Sequence, residues 1–434
     1  MTQKPSSLKR DVGLFGVVSL GIGTAIGVSI FSILAPAVQL AGPAMLVAML
    51  LSLLPMMVFG LVYAFMGSAL SVTGASFEWP RRFVHPFLGF IVGWLRVAGS
   101  AAALIVLTMV LTSYIGGVVD LPTEPVMFGI FLLVFILNLI GISAAAISQT
   151  LMLAVLLGMC ALYTATGLPK IEISAFSPFA SAGIAGILAA IPLLISLFLG
   201  IETAVEVGGE IRRPERNIPL GIALSLLLTA LIYGIVAAVT IGLLGSEALS
   251  GSNAPLLDGA VIALGQGGQW LILVTAIVAI GSSINALFII FTRFIYAMAS
   301  AGMLPRRLAY VHERSGAPRG AACLAFGMCL IGLFLPQNLI FLFLAVNIPT
   351  VLKYISTCIS AMGLMSRDPE LYDAASFRPG RNMIYVLSGI GALLGVLIIG
   401  LGLTADWRPY LALGIWGLLG VIWYFAFARR NLSA

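Results

Sequence analysis

Five charged side chains stand in stretches that are otherwise apolar: Arg96, Glu202, Glu206, Arg293 and Lys353. A charge at the centre of a bilayer costs about 2.5–3.5 kcal/mol, so each must face the protein interior, pair, or reach an interface. Arg293 lies toward the end of its segment, where snorkelling accounts for it. Glu202 lies in Phe198-Leu199-Gly200-Ile201-Glu202-Thr203-Ala204-Val205-Glu206-Val207-Gly208-Gly209-Glu210, a run of flexible and acidic residues where a membrane helix wants Leu and Val. Two roles are open to its carboxylate: contact with a substrate or proton, and a structural hydrogen bond. Glu206 either stacks one turn below Glu202 or serves as a partner at a cytoplasmic gate. Arg96 and Lys353 neutralise the two glutamates, replace a coupling cation, or form a buried gate salt bridge, the last being the plainest expectation.

A second unusual run is Gly21-Ile22-Gly23-Thr24-Ala25-Ile26-Gly27-Val28-Ser29-Ile30-Phe31. Glycines make helical backbone easy to unwind. Unwound backbone at membrane depth is tolerated only where it lines a cavity or is buried in protein. Interrupted segments in corresponding positions of two halves point to a transporter's binding site. Each break leaves a half-helix N-terminus that attracts a carboxylate, while free carbonyls and an acidic side chain attract an amine. A zwitterionic amino acid or a related amine suits both.

The other polar residues have quieter readings. Asn138, Gln149, Asn285 and Asn347 read as hydrogen-bonding glue between helices. Cys160, Cys323, Cys329 and Cys358 form no CxxC pair and read as small hydrophobes. His85 and His312 have no HExxH around them, so no metal site is expected. No paired histidines and no nucleophile with a base stand out, which argues against an enzyme.

These residues are positioned by membrane helices. The 434 residues are 61% hydrophobic and 9% charged, against about a quarter charged in a soluble domain. Segments of about 20 or more apolar residues recur twelve times, the first beginning near Leu14 and the last ending near Ala428. The stretch Lys4 to Arg10 before the first segment resembles a signal peptide, but the length of the run behind it predicts an uncleaved helix. Phe77 to Arg82 reads as a loop, and Gly245 to Gly268 as a connection holding a short helix over the outer mouth. Net charge is +6, yet the basic residues gather in alternate loops, which reads as orientation and not as nucleic-acid binding. Of the loop basics only Lys170 and Arg408 fall on the opposite side, so both termini are expected in the cytoplasm.

Three patches carry a family resemblance. GIGTAIGVSIF, from Gly21, is similar to the glycine-rich first helix of the amino acid–polyamine–organocation superfamily of transporters. FLGIETA, from Phe198, followed by EIRRPERNIP, from Glu210, resembles its sixth helix and the loop after it. Thr292 to Ala299, Gly302 to Pro305 and His312 to Pro318 resemble its eighth-helix signature. With the segment count, the match covers most of the chain.

The resemblance implies an all-α polytopic membrane protein of the LeuT-type fold, with about twelve transmembrane helices. Residues 14–168 would form one five-helix repeat and 183–365 its inverted counterpart, with helices one and six broken; 382–428 would add helices eleven and twelve to a single domain spanning 1–434. It implies substrate contacts from Thr24, Ala25, Ile26, Gly27, Val28 and Ser29, and from Ser196, Leu199, Gly200, Ile201, Glu202 and Thr203. Ser29 departs from the family's Gly-Ser-Gly pattern and crowds a spot usually left open for a carboxylate. Some proton-coupled members carry a lysine where this chain has Leu156, which leaves Lys353 as a stand-in. Ser282 and Ser283 either help form a sodium site against segment one or pack as small residues at a helix interface.

The expected activity is secondary transport of amino acids or related organic amines across the cytoplasmic membrane by alternating access, as proton-coupled symport or exchange. The coupling ion would be H+ or Na+, with Glu202, Glu206, Arg96, Lys353, Ser282 and Ser283 as coupling or gate candidates. No cofactor, metal or nucleic acid is expected; the partners are the small substrate and the lipid bilayer. The rivals are a polyamine or cationic amino acid antiporter and a membrane nutrient sensor that binds without transporting.

Overall fold

Prolines and polar caps set where many of the helices begin. Pro86, Pro214, Pro255 and Pro369 stand in the first turn of their helices, where a missing N–H costs nothing. His85, Asn338 and Asp368 accept the exposed N–H groups of Phe87, Phe341 and Leu371.

The computed structural model describes residues 13–70, 72, 75–140, 145–200, 211–312, 318–334 and 337–429. In chain order the helices are α1 (Leu14–Ser32), α2 (Leu34–Ala41), α3 (Met45–Ala69), α4 (Ala75–Phe83), α5 (Pro86–Gly116), α6 (Thr123–Ile140), α7 (Ala145–Gly167) and α8 (Gly183–Leu194). A 3₁₀ turn, Ile195–Phe198, extends α8. Then come α9 (Pro214–Gly251), α10 (Pro255–Leu264), α11 (Gln266–Ser300), α12 (Arg319–Gly332), α13 (Leu339–Arg367), α14 (Pro369–Asp373), α15 (Arg381–Ala405) and α16 (Arg408–Trp423). Eight stretches of helix among the described residues are long and apolar enough to cross a bilayer, and four shorter apolar helices accompany them. The protein is an all-α polytopic membrane protein.

α13 is the central helix. In its most apolar window 83% is buried, against 17% in α16. It packs on α5, α15, α4 and α3. α1 lies along α9, where Ser225 Oγ donates to the Val18 carbonyl at 3.2 Å. A Cβ at Gly21 would overlap the Ser225 hydroxyl, so glycine sets this approach. On the periphery Leu393, Leu397, Ile415 and Leu418 are exposed, as a lipid-facing surface requires. Trp94 of α5 and Trp416 of α16 stack at 4.7 Å, and each indole N–H donates to the other's carbonyl at 2.8 Å.

Three elements differ from the sequence reading. Phe77 to Arg82 is not a loop but most of α4. Phe77, Trp79 and Phe83 bury one face, while Glu78 and Arg81 pair at 2.6 Å. Amphipathic spacing in a short, charged stretch was the signal for it. The break expected within Gly21 to Phe31 is absent from the backbone: α1 is helical through Ser32, and Ile33 stays right-handed helical, its N–H bonded to Ser29 and its carbonyl to Ala37. Pro36 lacks the N–H that the Ser32 carbonyl would accept, so one bond is missing between α1 and α2. Segment seven runs on past its expected end through a bend at Gly245, whose φ of 74° needs glycine. The short helix expected before segment eight is α10.

Both basic residues that stood apart in the charge topology have local partners. Lys170 Nζ donates to the Ile262 and Ala263 carbonyls, each at 2.9 Å, and so caps the C-terminal end of α10. Arg408 pairs with Asp406 at 2.7 Å, and its hydrogen bonds hold that carboxyl below the usual range.

α4 rests on α13 through Arg82–Asp368 at 3.1 Å and a bond from Arg367 to the Val84 carbonyl at 2.8 Å. A Cβ at Gly363 would overlap the Phe83 carbonyl. Gly363→Val is therefore expected to destabilise the protein by about 1–3 kcal/mol, through overpacking. A lower melting temperature in detergent would register it. Gly389→Ala, where a Cβ meets nothing, is the neutral control.

Candidate functional site

The C-terminal end of α8 lies inside the molecule. Pro192 withholds an N–H within the helix, the last turn tightens to 3₁₀, and the chain leaves the helix at Leu199 (φ −66°, ψ 139°). Gly200 follows with φ 119°, a conformation that disfavours any side chain. The helix of segment six thus ends at the start of the stretch in which the sequence placed its break; residues 201–210 lie outside the described residues. The last carbonyls of a helix have no partner within it. In hydrocarbon each must find a donor elsewhere.

Side chains supply those donors. Asn347 Nδ2, from α13, donates to the Pro192 carbonyl at 2.7 Å, the Leu193 carbonyl at 3.2 Å and Ser196 Oγ at 3.1 Å. Ser196 Oγ in turn donates to the Leu193 carbonyl. Ser29 Oγ, from α1, donates to the Ser196 carbonyl at 2.9 Å. All three side chains are buried. Tyr233 of α9 sets its hydroxyl against the Ser29 side chain and the Ile30 backbone. Ser29, Ser196 and Asn347 therefore bind three helices into one polar junction at the interruption.

Tyr114 of α5 holds the far end of α1. Its hydroxyl donates to the Phe31 carbonyl at 3.1 Å and accepts the Leu256 N–H at 3.4 Å, while its ring meets Phe31 edge-on at 5.4 Å. The short helix α10 is thereby tied to the end of α1.

The two internal cations meet other turns of α13: Arg96 reaches it from α5, and Lys353 is on α13 itself. Arg96 donates to Thr350 Oγ1 at 2.8 Å, and Thr350 donates to the Val346 carbonyl. Among the described residues Arg96 makes no ion pair; Glu202 and Glu206, the carboxylates expected to face it, lie outside them. Lys353 is only 2% exposed, and its ammonium lies 4.8 Å from the Tyr354 ring centroid and 5.9 Å from that of Tyr63. Those rings meet edge-on at 5.4 Å, with Trp79 tilted against Tyr63 at 5.5 Å. Arg293 is exposed, in keeping with snorkelling.

Other candidates separate. Ser283 donates to Ala279 of its own helix at 2.9 Å. Asn138 Nδ2 donates to Asn285 Oδ1 at 2.9 Å and so joins α6 to α11, the gluing role expected of both. Thr24, Ala25, Ile26, Gly27 and Val28 lie on the helical backbone of α1, but their side chains, like those of Ser282 and Gln149, are outside the described residues. Ile201, Glu202, Thr203 and Glu206 are outside them entirely.

Sequence reasoning passed over Tyr114, Tyr233 and Thr350, and assigned Asn347 to glue alone. A signal was present: in segment ten, polar Asn347, Thr350, Tyr354 and Thr357 recur every three or four residues on an apolar helix. That period marks one face of the helix, and the structure buries it.

The family model described as amino acid permease matches residues 12–422. The chain is 24% identical to a branched-chain amino acid permease of Bacillus subtilis (strain 168), over 99% of this chain and 95% of that protein. It is 28% identical to a branched-chain amino acid permease of Lactococcus lactis subsp. cremoris (strain MG1363), over 95% and 93% of the two chains. It is 25% identical to a methylthioribose transporter of Bacillus subtilis (strain 168), over 99% and 95%.

Ser29→Ala removes a buried hydrogen bond between α1 and the end of α8. It is expected to cost about 1 kcal/mol, seen as a lower melting temperature in detergent. Ser283→Ala, which loses only a bond within its own helix, is expected to leave that temperature unchanged.

Proposed function

The chain belongs to the amino acid permease family, and from that premise we propose that it moves amino acids across the cytoplasmic membrane as a secondary transporter working by alternating access. The observation that carries the reading is the end of the helix of α8 at Leu199, inside the molecule, met by buried hydroxyl and amide groups from α1 and α13. A helix that ends inside a membrane protein, among polar side chains, makes a site for a polar cargo. The carbonyl end of α8 carries partial negative charge and favours a cargo's ammonium group.

Apolar amino acids are the first cargo to test, since two relatives are named as branched-chain amino acid permeases. In this reading Thr24 to Ser29, Ser196 and Leu199 to Thr203 line the site. Glu202 handles a proton that couples transport. Residues 14–168 and 183–365 act as inverted repeats that rock about the site, both termini lie in the cytoplasm, and no catalytic step is involved. The methylthioribose transporter gives a second reading, a cargo without an ammonium group.

Reconstitution in liposomes, with a panel of amino acids, polyamines and methylthioribose, tests the proposal. Saturable uptake of apolar amino acids is expected. Binding without flux would turn the reading toward a sensor, and absence of both from folded protein would end it. Glu202→Gln is expected to flatten the pH dependence of uptake with little change in expression; an unaltered profile removes Glu202 from coupling.

A further inference from the structure

Asn347 is 2% exposed, and its side chain is only half satisfied. The two N–H groups of Nδ2 are shared among three acceptors, at Pro192, Leu193 and Ser196. Oδ1 is buried without a hydrogen-bond partner. The orientation of the amide follows from the partners. Two are carbonyls, and the third is a hydroxyl whose proton is committed to Leu193. A reversed amide would set its oxygen against these acceptors.

An orphaned buried acceptor is destabilising, and few are retained in a folded protein without a reason. Here the reason lies in what Asn347 does to the end of α8. That end presents partial negative charge on its free carbonyls. Asn347 takes up two of those carbonyls with its N–H groups. The amide is planar, so Oδ1 points away from them. Hydrogen bonds in series polarise one another in a low dielectric, which makes Oδ1 a stronger acceptor than an isolated amide. The negative end of the half-helix is handed through the side chain to a new position beside Ser196 and Ser29.

We propose that Asn347 Oδ1 accepts a hydrogen bond from the cargo's ammonium group and sets the preference for amine-bearing substrates. The inference rests on the amino acid transport reading and adds a positioning residue from α13, a helix outside the two interrupted segments. The unpartnered oxygen is filled when cargo is bound and empty when it is not. An acceptor of this kind rejects a cargo that lacks the donor, because the buried oxygen then stays unpaired.

The test measures uptake of labelled leucine into proteoliposomes, competed by unlabelled leucine and by its deamino counterpart, 4-methylpentanoate. In the native protein leucine is expected to compete at least tenfold better, since a hydrogen bond to a charged group supplies that much or more. In Asn347→Ala the preference should fall about tenfold, with the inhibition constant for 4-methylpentanoate little changed. A purely structural role would weaken both competitors together and leave the ratio intact, which overturns the proposal; so would a water molecule as the oxygen's partner, since it serves both cargoes alike. Asn347→Leu, which matches the amide in shape but offers no acceptor, provides an independent arm if the alanine variant does not fold. The preference should fall there as in the alanine variant, and a native ratio overturns the proposal. The native protein separates the two claims. Absence of uptake or competition across the whole panel overturns the transport reading and the ammonium role together. Native uptake with an unchanged ratio in the variants overturns the role of Asn347 alone.

Discussion

A helix that stops inside a membrane protein must find donors for its last carbonyls, because hydrocarbon offers none. The rest of this structure depends on how α8 meets that demand. Its carbonyls at Pro192, Leu193 and Ser196 are served by the amide of Asn347, the hydroxyl of Ser196 and the hydroxyl of Ser29. These donors come from α13, from the turn itself and from α1. The interruption therefore cannot shift without disturbing hydrogen bonds to two other helices. That is a reason for α13 to be the most buried of the long helices, and for α1 to lie where Ser225 and Gly21 let it approach α9 so closely.

Neutral groups lie against both internal cations. Arg96 bonds a threonine, and Lys353 has tyrosine rings among its neighbours. A buried ion pair must overcome the desolvation of two charges, whereas a hydroxyl or an aromatic face brings only one charge out of water. A cation over an aromatic ring gains about 0.5–2 kcal/mol, more when the site is dry. Lys353 and its rings also join α3, α4 and α13, since Trp79 packs on Tyr63 and the Thr357 hydroxyl lies 3.1 Å from that of Tyr63. The face of α13 that carries Asn347 and Thr350 thus continues into the aromatic cluster below it.

Most of the helical segments were legible in the sequence because hydrocarbon is a simple solvent. About 20 apolar residues make a crossing, and a cluster of arginines makes a loop. Lys170 and Arg408 broke the charge pattern for local reasons that no count of basic residues contains: one caps α10 and the other pairs with Asp406. α4 was read as a loop because its charges outweighed its aromatic face, and only packing on α13 explains why Phe77, Trp79 and Phe83 turn inward. The first break was placed on glycines, yet α1 stays helical there. Glycine permits unwinding without requiring it, and Pro36 removes only a single donor between α1 and α2.

Of the candidate site, Ser29, Ser196, Leu199 and Gly200 were recognisable from one interrupted segment and one glycine-rich run. Their pairing was not, nor was the part played by Asn347, Tyr114 and Tyr233. By itself the sequence determined the solvent and most of the helices, since these depend on hydrophobicity and backbone chemistry within a short window. Only the tertiary structure decided which side chains meet the end of α8. Ser29 and Ser196 are 167 residues apart, and Ser196 and Asn347 are 151 apart. Hydrogen bonds over such separations depend on how helices lie against one another, and no local pattern of residues encodes that.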